Sequence, residues 1–284
     1  MIAVKDVFLK YHKVPNDTIQ GISFEVKPGE IFGFLGPSGA GKSTMQKILT
    51  GVLRDYRGSV RVFDMEMKNR ANTYYEKIGV DFEFPNFYNK FTAVENLNYF
   101  AALYSAKPTD PMQLLEKVGL ENDAEKKVGS FSKGMKMRLG FVRALIHNPQ
   151  LLFLDEPTSG LDPTNAKILK NMVLEEKRMG KTVILTTHNM HDAEELCDRV
   201  AFIVDGKIKA LDAPYALREQ GANTQVGYRY LSDGKEISSS CALAELGASP
   251  DFQTALRLGT LKSIHSKERT LEDVFIELTG RCLQ

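Results

Sequence analysis

The run Gly36-Pro37-Ser38-Gly39-Ala40-Gly41-Lys42-Ser43-Thr44 constrains the fold more than any other stretch of the chain. It has the form G-x-x-x-x-G-K-[ST], and each part has a chemical task. The glycines allow a tight turn whose N–H groups face inward as an anion cradle. A helix starting near Gly41 turns the positive end of its dipole to the same point. Lys42 brings a compact charge suited to β- and γ-phosphates, and the hydroxyl of Ser43 is a hard oxygen suited to Mg²⁺. Such a loop needs a strand before it and a helix after it. Glu30–Leu35 reads as a short buried strand, and Met45–Thr50 as a helix that ends near Gly51. The centre of the chain is therefore expected to be α/β.

At 284 residues the chain can form one large domain or two. Its 43% hydrophobic and 26% charged residues are those of an ordinary globular protein. The net charge is +1 and no dense Lys/Arg block occurs, which argues against nucleic acid as the main partner. Cys197, Cys241 and Cys282 are widely spaced and form no CxxC pair. They suggest neither a zinc site nor a disulfide scaffold, and fit a reducing cytosol. The first residues lack signal-peptide anatomy, and no apolar run approaches the ~18–20 residues needed to span a bilayer. At a membrane, another chain would have to do the spanning.

Residues 1–35 alternate apolar and polar (Val7, Leu9; Ile22, Phe24, Val26) with turns at Asn16-Asp17 and Pro28-Gly29, which predicts an N-terminal antiparallel β subdomain. Residues 59–63 add a strand. Val94, Leu97, Phe100, Ala101 and Tyr104 have the spacing of an amphipathic helix over 92–104, with Thr92 and Glu95 as its capping box. Another helix is expected over 111–118. Leu151–Leu154, Thr182–Thr187 and Val200–Val204 read as apolar strands with helical segments between them, the pattern of a mainly parallel core sheet. The character changes after about residue 212. A strand over 224–231, a turn at Asp233-Gly234 and a helix over 271–278 follow, the helix capped by Thr270 and Asp273 and stopped at Gly280. The expected organisation is a domain over 1–212, with a helical subdomain at about 84–147, and a small α+β accessory domain over 213–284.

A phosphate loop needs a second metal anchor and a group to activate water. Asp155 ends an apolar strand, where a carboxylate can reach a metal, and Glu156 follows it. Neighbouring side chains on a strand diverge, so the pair can divide two roles: Asp155 near Mg²⁺, Glu156 on the attacking water. Ser132 and Gly134 open a helical run from Lys136 to Leu145, and a hydroxyl at a helix N-terminus is a second anion site or a plain N-cap.

Taken together, residues 1–212 resemble the ATP-binding subunits of ATP-binding-cassette (ABC) transporters, a P-loop NTPase family. Gly36–Thr44 look like Walker A, and Leu151–Glu156 like Walker B with its catalytic glutamate. Phe131-Ser132-Lys133-Gly134-Met135 look like the signature motif usually written LSGGQ, keeping Ser132 and the second glycine, Gly134. Ser159-Gly160-Leu161-Asp162 look like the D-loop, and His188 like the switch histidine. Tyr11 sits where the family stacks an aromatic on adenine. The resemblance implies two copies, as a homodimer or heterodimer, closing head to tail around two Mg·ATP. Each signature helix would face the γ-phosphate held by the other copy. It also implies a separate multi-spanning permease and a cytoplasmic position on the inner face of the cell membrane.

One departure is informative. The family places Gln at the end of the strand before its helical subdomain, and here that position is Glu83, a metal-side oxygen with an added negative charge. This resembles the E-loop variant of exporters for peptide-antibiotic immunity and of bacitracin-type exporters. Phe82, Phe84, Phe87, Tyr88 and Phe91, interrupted by Pro85, form an aromatic-rich stretch where the family docks a short helix of the membrane partner. Some of these rings are expected to fill the core instead. The C-terminal run Thr270–Gly280 resembles ATPases paired with ABC-2 type permeases, which often export drugs, polysaccharides or peptides. Two other readings stand beside this one. A soluble ABC ATPase acting on ribosomes or nucleic acid usually carries two cassettes or a long coiled coil, and neither is evident here. A nucleotide sensor with little turnover would not need Glu156 and His188.

Overall fold

A computed structural model describes residues 1–12, 16–84, 86–220, 225–232, 234–267 and 269–280. Pro85, Thr224, Asp233 and Cys282, all named above, lie outside them. The chain divides into two compact units, Met1–Pro214 and Tyr215–Cys282.

The first unit runs β1 (Ile2–Leu9), β2 (Ile19–Val26), β3 (Ile31–Leu35), α1 (Lys42–Leu49), β4 (Arg57–Val62), β5 (Met65–Glu66), β6 (Ile78–Asp81), α2 (Ala93–Ala101), α3 (Pro111–Lys117), α4 (Lys133–Leu145), β7 (Leu151–Asp155), α5 (Pro163–Arg178), β8 (Thr182–Thr187), α6 (Met190–Leu196), β9 (Arg199–Val204) and β10 (Lys207–Asp212). α7 (Pro214–Glu219) begins at the boundary. The second unit continues with β11 (Gln225–Ser232), β12 (Lys235–Ala242), α8 (Pro250–Arg257), β13 (Leu261–Lys267) and α9 (Leu271–Thr279).

The N-terminal strands form an antiparallel sheet in the order β2-β1-β4-β5. The six-stranded sheet has the order β10-β9-β3-β8-β7-β6, parallel except for the hairpin of β9 and β10. β3 and β8 are buried along their whole length, as expected of parallel strands covered on both faces. One apolar cluster runs from the antiparallel sheet through α1 to the larger sheet. At its centre Phe24 stacks on Phe32, ring centroids 5.3 Å apart, and meets Phe34 edge-on at 5.3 Å.

Register decides where the chemistry lies. Leu35 pairs with Thr187 across β3 and β8, and Asp155 pairs with Thr186 across β7 and β8. The loops that follow β3, β7 and β8 therefore leave the sheet side by side at its carboxyl edge, where open α/β sheets bind ligands.

The helices of the first unit start as their caps dictate. Thr92 and Glu95 exchange both bonds of a capping box at 3.1 and 2.8 Å. Buried Asn96 holds the loop before α2 by bonding both the N–H and the carbonyl of Tyr88. At the far end of α4 the backbone lies directly on β6. A Cβ on Gly79 would stand 2.2 Å from the carbonyl oxygen of Ala144 and 2.9 Å from Leu152. In the second unit, β11 is flanked by β12 and β13, both antiparallel. Its buried Tyr228 packs on Phe252 of α8 and lies 2.8 Å from the hydroxyl of Ser249. The capping box of Thr270 and Asp273 and the left-handed Gly280 bound α9.

Among the described residues no helix is long and apolar enough to cross a membrane. The close seam of α4 and β6 yields the first prediction. Gly79→Ala should cost about 1–3 kcal/mol by overpacking, read as a lower urea midpoint at unchanged slope. An unchanged midpoint would show that the seam accommodates a methyl group at Gly79.

Candidate nucleotide site

The loop after β3 closes because of its glycines. Gly36 has φ 151°, and a Cβ there would stand 2.1 Å from the carbonyl oxygen of Ile203. Gly41, the residue before α1, has φ 112°. Lys42 is 8% exposed and donates to the carbonyl oxygens of Gly36 at 2.6 Å and Pro37 at 3.1 Å. Burial lowers its pKa, while the carboxylates of Glu156, Asp155 and Glu83 act in the opposite direction. Ala40 is buried beneath the loop. The hydroxyl of Tyr11 lies 3.3 Å from that of Thr44, which places the ring beside the loop.

A cavity of about 400 Å³ lies over this loop. Its walls include Thr18, Ser38, Gly39, Gly41, Lys42, Ser43 and Thr44 on one side and Glu83, Asp155, Glu156 and His188 on the other. Strands distant in sequence thus bring the phosphate loop and the three acidic residues to one place.

Two threonines orient two of these acids. The hydroxyl of Thr186 donates to Asp155, and that of Thr187 donates to Glu156 at 3.2 Å. His188 Nδ1 lies 2.9 Å from the other Glu156 oxygen. A carboxylate accepts, so Nδ1 carries the hydrogen and Nε2 is left for another partner. Glu156 has φ 50°, a left-handed conformation that is uncommon for a residue with a side chain. Its N–H bonds the carbonyl of Thr186 at 2.9 Å. The strain is consistent with a functional position. Thr186 and Thr187 were not singled out from the sequence. Their signal was a pair of hydroxyls at the end of a strand, immediately before His188.

The other expected site residues form a second group, away from the walls of that cavity. Ser132 caps α4, its hydroxyl accepting from the N–H of Met135 at 3.2 Å. Gly134 faces Leu161, which a Cβ would approach at 3.3 Å. Asp162 caps α5 by accepting from the N–H groups of Thr164 and Asn165 at 3.1 Å. The side-chain amide of Asn165, with those backbone bonds, holds its carboxyl below the usual range. Phe131 is 5% exposed, so its ring belongs to the core and only its backbone is offered outward.

A larger groove of about 1050 Å³ shares Ser43, Glu83 and Asp155 with the cavity. Its apolar lining includes Phe82, Phe84, Phe87, Tyr88, Phe100 and Tyr104. The expectation that some of the stretch's rings fill the core needs correcting, since only Phe87 of the five is even partly buried. Phe82, Phe84, Tyr88 and Phe91 are all exposed, Phe84 at 69%. Tyr88 and Phe91 lean on Tyr99 of α2, with ring centroids 4.8 and 6.5 Å away, and still keep an exposed face.

The fold and the cavity define a P-loop nucleotide-binding ATPase of the cassette type. The family model described as ABC transporter matches residues 19–159. The chain is 50% identical to the fluoroquinolones export ATP-binding protein of Mycobacterium tuberculosis, covering 100% of this chain and 94% of that one. It is 38% identical to Nod factor export ATP-binding protein I of Burkholderia orbicola, over 94% of this chain and 93% of that one. Among solved structures, the ATP-binding subunit of an ABC transporter superposes with TM-score 0.70 at 29% identity, covering 78% of this chain and 93% of that one. A dimeric ATP-binding cassette bound to ADP and Pi, in a post-hydrolysis state, superposes with TM-score 0.68 at 25% identity, covering 75% and 98%. The chain belongs to the ABC transporter family, as an ATP-binding, ATP-hydrolysing subunit.

The loop geometry makes a second prediction. Gly36→Ala should weaken ATP binding at least about tenfold, or ~1.4 kcal/mol, in calorimetric titration. An unchanged Kd would mean that the loop accommodates a side chain at Gly36.

Proposed function

We propose that this chain drives export through a separate membrane permease by hydrolysing ATP at a head-to-tail dimer interface. The observation that carries the catalytic part is the placement of Glu156. It is gripped by Thr187 and His188 and lines the same cavity as Lys42, Ser43 and Asp155.

The phosphate-loop amides and Lys42 bind the β- and γ-phosphates. Glu156 orients a water and takes its proton as the water oxygen bonds the γ-phosphorus and the bond to the β–γ bridging oxygen breaks. The Glu156–His188 bond keeps the carboxylate pointed, and His188 Nε2 remains for the γ-phosphate. Tyr11 stacks on the adenine. The hydroxyl of Ser43 and the carboxylates of Asp155 and Glu83 are hard oxygens that line one cavity, a donor set that fits Mg²⁺. Bound there, Mg²⁺ neutralises phosphate charge; Thr186 positions Asp155 toward it.

Phe131, Ser132, Gly134, Met135 and Asp162 lie outside this cavity, which supports their use by a second copy. The solved post-hydrolysis dimer supports the same arrangement. The exposed aromatic groove supports a docked permease helix, of ABC-2 type on the resemblance of residues 270–280, and so a peripheral position at the cytoplasmic face of the membrane. The relatives named for fluoroquinolone and Nod factor export support a drug or other exported factor as the cargo. They lend no support to the peptide-antibiotic immunity reading of Glu83, and none to action on ribosomes or nucleic acid.

Glu156→Gln should bind ATP within about twofold of wild type while turning over ~10²–10⁴-fold more slowly. Near-wild-type turnover would remove Glu156 from the role. The same variant, affinity-tagged and extracted from its host's membranes in Mg·ATP and mild detergent, should bring down a multi-spanning protein in stoichiometric amount. Recovery only from the soluble fraction, alone or with ribosomes, would overturn the transport reading.

A further inference from the structure

Arg143 is absorbed by none of the chemistry above, yet it joins three parts of it. It lies near the end of α4, whose other end begins at Ser132. Its Nη1 donates to the carbonyl oxygen of Asn86 at 2.8 Å. Its guanidinium stands over two rings of the aromatic groove, Phe87 at 4.8 Å and Phe100 at 5.0 Å from their centroids. Burial of the cation is opposed by the carboxyl of Asp81, at the end of β6 and two residues before Glu83. Asp81 is 4% exposed, and burial raises its pKa while the Arg143 cation acts in the opposite direction.

The geometry around this residue is stiff. Ala144, the next residue, has its carbonyl against Gly79 of β6 with no room for a side chain between them. The Arg143 backbone is therefore fixed, and its planar side chain fastens the far side of the segment that carries Glu83. Arg is suited to the task because one rigid plane can donate to a carbonyl and stack on rings at once. Along α4, Ser132 lies eleven residues away, about 16 Å at 1.5 Å per residue.

We infer that Arg143 is a positioning residue that clips the Glu83-bearing segment to the signature helix α4, so that an occupant pressing on Phe87 and Phe100 moves Glu83 and Ser132 together. The inference rests on the proposed roles of Glu83 and Ser132 and adds the part that links them. Arg143 touches neither nucleotide nor water. Its loss acts through the placement of Glu83, and so through the metal dependence of the reaction.

The test uses the purified full chain and steady-state ATP hydrolysis with Mg²⁺ varied at saturating ATP. Arg143→Met should raise the half-saturating Mg²⁺ concentration at least threefold and lower kcat at least tenfold, with nucleotide Kd within twofold of wild type. Arg143→Lys, which keeps the charge beside Asp81 but loses the stacked plane, should recover part of both. Phe87→Leu should reproduce the change in weaker form. Combining it with Arg143→Met should add little, because both break the same clip. If Arg143→Met does not fold, the Mg²⁺ dependence of Phe87→Leu and Arg143→Lys carries the test. Unchanged Mg²⁺ dependence in the folded variants, or effects of the pair that simply multiply, overturns the clip. A wild-type chain without ATP hydrolysis would instead overturn the proposed function.

Discussion

A lysine whose charge must survive burial sets the terms for the rest of this molecule. Lys42 is nearly enclosed by its own loop, and enclosure alone would favour the neutral amine. Two loop carbonyls and three carboxylates oppose that tendency. Those carboxylates come from two different strand ends, so their joint action on Lys42 depends on the register of the parallel sheet. Each acid on the cavity wall is thus both a reagent and part of the field that keeps Lys42 cationic.

The same acids would repel one another if they were free to choose their positions. The structure prevents this with short hydroxyl contacts. Thr186 engages Asp155, and Thr187 engages Glu156 from the opposite side to His188. A hydroxyl is a good restraint here because it donates to a carboxylate without adding a full charge. The left-handed backbone at Glu156 serves the same separation, since it turns the second carboxylate off the line of the strand.

The nucleotide cavity and the aromatic groove are not independent features. They share Ser43, Glu83 and Asp155, so a wall of the phosphate site is also a wall of the surface proposed to receive the permease. Coupling between the two needs no long path. It needs a short segment, residues 82–87, anchored at β6 and restrained at its far side by α4. The C-terminal unit has its own small sheet and core.

Local chemistry was readable in the sequence. The phosphate loop, the carboxylate pair at the end of β7, the capping boxes of α2 and α9 and the apolar strands all depend on neighbours within a few residues, so spacing and side-chain type sufficed to place them. The strand ends were placed within a residue or two, because apolar runs stop where burial stops. What spacing could not reveal was register. That Thr186 and Thr187 reach the two acids depends on the pairing of β8 with β7, and that Arg143 reaches the aromatic groove depends on the seam of α4 and β6. The exposure of Phe82, Phe84, Tyr88 and Phe91 was also a tertiary decision, since an aromatic ring is apolar whether or not an element arrives to cover it. The sequence by itself determined which groups could bind a triphosphate. Only the folded chain, through pairings between residues far apart in sequence, decided which of them share a cavity and which are left for a second molecule.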